Sequence, residues 1–509
     1  MSSDLIITSP TQLPSISEMG DCESNYIQVN AQRQITGTNF NAGVIDFSFS
    51  LAGNLRSSLK KSYVRLRASI HSTGTTQPTK QEKIAFAENF ANNLFQSAYF
   101  YIGGVDVSSK QNFCAQSSMA RTRLSKPYSW MKSTGEVHGF NASFEERVSE
   151  VSSGGATRSA FEAASGITKE GAADAITIAI ATSGVATVSA AGLSEALVVG
   201  DVVQVDGVDY TVSVYTSVNE FTVANKPAVA VVASTDWGKV VTPVYIAAPE
   251  DGSNDIEILF QPGGLGIWHT DSVLPSGQYR LSLYPVNNSK LTEGIQSATS
   301  SATANIVVED MYLYLHTFRA EAPMVDGQYF LDLDELSVQT KTLADSGQNT
   351  FNCTIPANTY GIAVWSQGKD AGTTTELPPS IFNNTSGSLT DLKNLQLTYG
   401  GKTSPNTDFS SSLANNQNWL KQRYYDSHLY ANLAEVGGET YEDWIRRGPL
   451  FYFNFVKEES NRSTELQTSI RYGGTIGANN QVFFAALYRN LCEITVSSGY
   501  VSSVRKLMI

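Results

Sequence analysis

The sequence predicts an all-β protein made of antiparallel sandwiches with a few short helices. Three observations carry this: period-two alternation along the chain, glycine-rich turn signals between the alternating runs, and scarce helical periodicity. In Ile45-Asp-Phe47-Ser-Phe49-Ser-Leu51 the odd positions are apolar, and in Val64-Arg-Leu66-Arg-Ala68-Ser-Ile70 the even ones are. Tyr279-Arg-Leu281-Ser-Leu283, Leu395-Gln-Leu397-Thr-Tyr399, Phe451-Tyr-Phe453-Asn-Phe455 and Thr468-Ser-Ile470-Arg-Tyr472 follow the same rule. Successive side chains of a strand point to opposite faces, so each run has one face for a core. Gly103-Gly104, Gly263-Gly264, Gly400-Gly401 and Gly473-Gly474 mark turns between them. Strands without regular intervening helices pair antiparallel rather than as a parallel α/β sheet.

Three helices are expected. One spans Leu413–Leu433, with Asn415 or Asn416 as cap and Trp419, Leu420, Tyr424 and Leu433 on one side. A second lies around Lys83–Phe95 and a third near Tyr441–Arg446.

Composition shifts near Ser152 and again near Val240, and between them Ala, Val, Ser, Thr and Gly dominate. Gly200-Asp-Val-Val-Gln-Val-Asp206-Gly207-Val-Asp-Tyr210 predicts a hairpin turning at Asp-Gly. Residues 154–239 therefore form a small β-domain inserted into a loop of a larger one, as slow growth of closure entropy with loop length permits. The strands before and after the insertion, and a fresh set from Tyr329, make two strand-rich halves without an obvious sequence repeat.

Charged residues are only 16% of the 509, and net charge is −13. A polar, weakly charged surface suits a protein packed against copies of itself, because desolvating charge is costly. The acidic balance argues against a general nucleic-acid binder. No basic–apolar leader or membrane span is expected. Cys22, Cys114, Cys353 and Cys492 lack metal or redox spacing and read as free thiols. Asn141, Asn383 and Asn461 head chance glycosylation sequons.

The search for chemistry yields no catalytic, cofactor or metal site. His71, His138, His269, His316 and His428 form no metal-ligating motif. His269 stands near Asp271, an ordinary arrangement for a loop, and Gly263-Gly-Leu-Gly266 lacks the Lys-Ser/Thr of a phosphate loop. No G-x-S-x-G elbow is present. Lys60-Lys61, Arg65, Arg67 and Arg505-Lys506 read as a solvated or salt-bridged face.

The run Asn92-Asn93-Leu94-Phe95, followed by Tyr101-Ile102-Gly103-Gly104, resembles a signature of the double-jelly-roll major capsid proteins of eukaryotic DNA viruses. Three further pieces agree in order. Ile256–Pro262 with Leu265–Trp268 and Leu274–Leu281 looks like the closing strands of that family's first jelly roll, and Asn305–Tyr314 like its last. Leu395–Pro405 and the helix after it resemble the matching region of the second. The likeness covers most of the chain except the insertion and is greatest to polinton-like viruses and virophages.

The resemblance implies two side-by-side eight-stranded antiparallel jelly rolls. Residues 1–30 would be an N-terminal arm beneath a shell, tying neighbouring trimers together. Residues 31–153 and 240–320 would make the first jelly roll, 154–239 an outward tower, and 321–509 the second jelly roll. The implied function is a major capsid protein, not an enzyme, forming pseudo-hexagonal homotrimers in an icosahedral double-stranded DNA virion made in a host cytoplasm. Penton and minor capsid proteins are the implied further partners, with a host receptor for the tower, and no cofactor is needed. Two other readings stay open: a β-sandwich adhesin and a carbohydrate-active β-enzyme with a carboxylate pair.

Overall fold

The computed structural model describes residues 11–507 apart from 21, 37–38, 72–83, 87–88, 132, 141–166, 169–176, 190–201, 207, 218, 235–236, 241–254, 287–291, 295–304, 344–347, 369–391, 400, 405–416, 431–437, 442–443, 445–447, 455–463 and 473–479. The first half supplies β1 (Glu23–Asn30), β2 (Ile45–Leu51), β3 (Leu55–His71), β4 (Phe95–Ile102), β5 (Val105–Lys110) and helix α1 (Cys114–Ser125). After the insertion come β6 (Asp255–Phe260), β7 (Gly277–Pro285) and β8 (Asn305–Arg319). The second half contains β9 (Gly327–Thr342), β10 (Gln348–Thr354), β11 (Thr359–Gly368), β12 (Leu392–Tyr399), β13 (Lys402–Ser404) and helix α2 (Gln417–Tyr430). It closes with β14 (Phe451–Asn454), β15 (Glu465–Tyr472), β16 (Asn480–Ser497) and β17 (Tyr500–Leu507).

Each half is framed by two sets of four antiparallel strands, and β17 adds antiparallel to β16 outside the second half's set. In the first half the orders are β6-β3-β8-β1 and β2-β7-β4-β5. In the second they are β9-β16-β11-β14 and β10-β15-β12-β13. Counted from the first strand of each half, both halves read 1-8-3-6 and 2-7-4-5, the jelly-roll connectivity.

Alternation explains which face of each strand turns inward. Ile45, Phe47 and Leu51 of β2 are buried against Val64, Leu66 and Ala68 of β3, with Leu281 and Leu283 of β7 in the same core. Arg65 and Arg67 face outward between them. Leu395, Leu397, Tyr399 and Ile470 do the same for the second core. The β4–β5 hairpin turns on Gly103 (φ 57°) and Gly104 (φ 85°), a left-handed conformation that side chains with a Cβ resist.

The sheet β9-β16-β11-β14 is buried on both faces. Ile362 and Val364 of β11 point into the second core, while Ala363 and Trp365 point out toward the first half. Phe484 and Ala486 of β16 alternate likewise with Phe483 and Ala485. This double burial makes residues 482–487 a continuous apolar run instead of an alternating one.

The insertion forms its own eight-stranded sheet from segments between Ile167 and Val240, whose strands pair only with one another. Ile178, Ile180, Val203, Val205, Tyr210 and Phe221 build its separate core. The 202–205 and 208–217 strands pair with Val205 opposite Val208, and Asp206 takes φ 51° at the turn.

Three expectations need correction. Residues 23–30, expected in the arm, are strand β1, paired with β8 from Glu23–Arg319 to Asn30–Tyr312. Most of its side chains are exposed on both faces, so it lacks the alternation that would have marked it. Thr11–Gln12 pairs with Tyr329–Phe330, and Ile16 bonds Asp271, so this part of the arm crosses both halves of its own chain. Between Lys83 and Phe95 only Phe90–Asn93 is α-helical, and Ile84–Phe86 is a strand. α1 was not anticipated at all. Asn415, Asn416, Leu433, Gly400, Gly473, Gly474, the three sequons and the side chains of Trp419 and Leu420 lie outside the described residues; Tyr424 does pack on the second core.

Candidate functional site

The features that residue chemistry would single out gather at the seam between the two halves. α1 fills that seam. Its chain enters through Asn112 (φ 59°) and Phe113 (φ 58°), an uncommon conformation for a phenylalanine. The Phe113 ring meets Phe483 edge-on at 5.5 Å, so packing on the second half offsets the strain. Cys114 then joins the first core, and Met119 and Ala120 pack with Trp365 and Phe483 of the second.

Buried ion pairs cross the same seam. Lys110 of β5 meets Glu335 of β9 at 3.2 Å, with both side chains under 5% exposed (4% and 2%). Lys110 also donates to the Leu336 carbonyl, and Ser108 donates to Glu335 Oε1. The Gly266 N–H donates to that same oxygen at 3.1 Å. Burial lowers the Lys110 ammonium from its ordinary value, opposed by the Glu335 carboxylate. Arg121 donates to the Asp334 carbonyl at 2.6 Å, and Tyr360 donates to Asp334 Oδ1 at 2.6 Å. Arg123 reaches Glu439 at 2.8 Å and the Gly448 carbonyl at 2.8 Å. A buried charge unpaired costs several kcal/mol, so these matched partners fix one relative placement of the halves.

A cavity of about 500 Å³ opens beside α1. Lys60, Arg121, Lys126, His138 and His269 line it together with Trp130, Trp268 and Asp334. Among the described residues Asp334 is the one carboxylate that lines it. Burial, then Arg121, Lys126, Lys60 and Lys110, hold His269 well below its ordinary pKa.

The sequence-selected residues scatter otherwise. Arg65 pairs with Glu257 at 2.7 Å and Asp310 at 3.6 Å, Arg67 with Glu309 at 3.3 Å, and Lys506 with Asp106 at 3.7 Å. Arg65 and Arg67 share a salt-bridged face of β3, and Lys506 makes a separate pair. Lys60, by contrast, reaches both Asp271 at 2.6 Å and the cavity. The four cysteines are free, and burial pushes the Cys114 thiol up to about 12. Gly263 and Gly264 take φ 65° and 60° in a turn packed on α1. Among the described residues no group of three or more His, Cys, Asp or Glu could hold a metal, and no helix is long and apolar enough to cross a membrane. Sequence reasoning missed Lys110, Arg121, Arg123, Glu335 and Glu439, whose only local signal is charge in otherwise weakly polar surroundings.

No protein-family model matches the sequence, and no curated protein is similar to it. Solved structures are. A chain in the electron cryomicroscopy structure of the Sputnik virophage superposes with a TM-score of 0.52 at 13% identity, covering 100% of this chain and 92% of that one. The chain is a double jelly roll. The Faustovirus major capsid protein matches with a TM-score of 0.47 at 11% identity, covering 97% and 93%. The mavirus major capsid protein matches with 0.46 at 9%, covering 100% and 93%. In this double jelly roll the insertion and α1 fall between the fifth and sixth strands of the first barrel, and α2 falls at the equivalent place in the second.

Proposed function

We propose that this chain is the major capsid protein of an icosahedral double-stranded DNA virus, assembling as pseudo-hexagonal homotrimers. One observation carries the reading: the same eight-strand order occurs twice in a chain whose two barrels are locked side by side. Three such chains present six similar barrels around one axis, and a near-hexagonal block tiles a flat facet. A rigid seam suits this, because play between barrels would blur the outline that neighbouring blocks must match. The edge strand β1 supports it too, since Tyr26 (46% exposed) and Ile27 (39%) lie on an open edge, the kind of surface a neighbouring subunit covers.

In this reading the work is the burial of apolar surface between subunits through many contacts, without a chemical step. The protein resides in the virion after synthesis in the host cytoplasm, and it contacts penton and minor capsid proteins at vertices. The division into arm, first barrel, inserted unit and second barrel belongs to the same proposal, with residues 154–239 projecting outward as a tower open to a host receptor.

Light scattering with negative-stain microscopy tests it. Particles of three 55.1 kDa chains with a six-lobed outline, or closed shells, are expected. A monomer at micromolar concentration rules the reading out.

A further inference from the structure

We propose that the cavity at the seam is a binding site for a small phosphate-bearing anion. This does not rest on the capsid reading. The cavity's volume, about 500 Å³, lies within the range of small-molecule sites. Lys60, Arg121 and Lys126 bring three permanent cations to it, and His138 and His269 add two ring systems that can take a proton. Among the described residues one carboxylate, Asp334, lines it against them, and it is engaged by Arg121 and Tyr360.

The cations are only partly compensated: Arg121 meets Asp334 at 3.4 Å and Lys60 meets Asp271 at 2.6 Å. Among the described residues Lys126 has no acidic partner; its ammonium lies 5.2 Å over the Trp130 ring, and burial with help from Lys60 lowers its pKa. Arg121 is nine-tenths buried, and its Nε has no hydrogen-bond partner. The Lys60–Asp271 pair is exposed on both sides, at 47% and 68%, and such pairs contribute little. His138 is lowered by burial and by Lys126, against a bond to the Leu259 backbone. Like charges held together in a partly dry pocket repel, and an anion entering there relieves each of them at once. A phosphate offers several acceptor oxygens, so one group can face Lys126 and the open N–H of Arg121 together. Asn89, Asn92 and Ser118 add neutral polar groups to the wall.

The shared chemistry is the phosphate. Its source is either free phosphate or a nucleoside phosphate, whose base would lie on the aromatic wall where Trp130 meets His138 at 5.4 Å and Phe140 at 5.7 Å.

The experiment is isothermal titration of the whole chain with inorganic phosphate and, separately, with adenosine monophosphate, in a phosphate-free buffer. One site per chain is expected. Lys126→Gln and the exposed Lys60→Gln should each weaken binding roughly tenfold, and Lys126→Arg should keep it within about threefold. The Lys60→Gln and Lys126→Arg variants guard against a fold defect. Adenosine monophosphate binding more tightly than inorganic phosphate supports a nucleotide source, and the reverse supports free phosphate. Absence of heat with both probes overturns the site. So does native affinity in Lys60→Gln and Lys126→Gln together, which would mark an adventitious ion elsewhere.

Discussion

Replacing Lys110 by methionine keeps the stem's volume but removes the charge that faces Glu335 across the seam. Glu335 Oε1 retains the Ser108 hydroxyl and the Gly266 N–H, whereas Oε2 loses its ammonium partner at 3.2 Å. Breaking a buried pair from one side costs about 3–5 kcal/mol, and the retained donors put this case near about 3. For a barrel-sized cooperative unit that corresponds to a melting shift of roughly 6–12 °C. Lys110→Met combined with Glu335→Gln removes both charges and should recover most of the loss, because the buried-charge penalty disappears with its cause. The assay is thermal melting of both singles and the double at pH 5.5 and 8, with hydrogen exchange followed on β5 and β9. A Lys110→Met protein that melts within about 1 °C of the native one refutes the argument, as does a double variant that loses the sum of the singles.

A Cβ on Gly266 would stand 2.6 Å from the Asp334 carbonyl oxygen and 2.7 Å from Glu335 Oε1, so Gly266→Ala should destabilise the seam by about 1–3 kcal/mol; native melting would show that the loop yields freely. His138, His269, His316 and His428 all have pKa values lowered chiefly by burial. The unfolded chain therefore binds more protons below about pH 6.5, and the melting midpoint should hold near pH 7–8 and fall from pH 6.5 to 5; a flat profile would contradict their burial. Replacing residues 154–239 with a short linker should leave the remaining melt and oligomer unchanged, since the insertion has its own sheet and core. Loss of all soluble protein would show instead that it completes the barrels.

Much of the double jelly roll was legible from local pattern. Strand faces follow from period two wherever one side is buried, so Ile45, Phe47, Val64, Leu66, Leu281 and Leu397 were assigned inward by sequence and lie in the cores. A turn at Gly103-Gly104 was expected from the doublet, and the structure gives both residues positive φ there. Where neither face or both faces are covered, the pattern vanishes: β1 is mostly exposed, and the run at 482–487 is wholly buried. α1 escaped for a related reason. Wedged between two barrels, it is buried nearly all round yet carries Ser, Gln and Arg, so it shows no apolar stripe.

By itself, then, the sequence determined the strand-rich class and the inward face of most strands, because each is written in residues a few positions apart. The tertiary structure alone decided the seam. Lys110 and Glu335 are 225 positions apart, Arg123 and Glu439 316, and Lys60 reaches the cavity beside residues more than 50 positions further along. No local periodicity encodes such pairings; they exist only once two sheets have folded and been pressed together, where burial makes each charge depend on a distant partner.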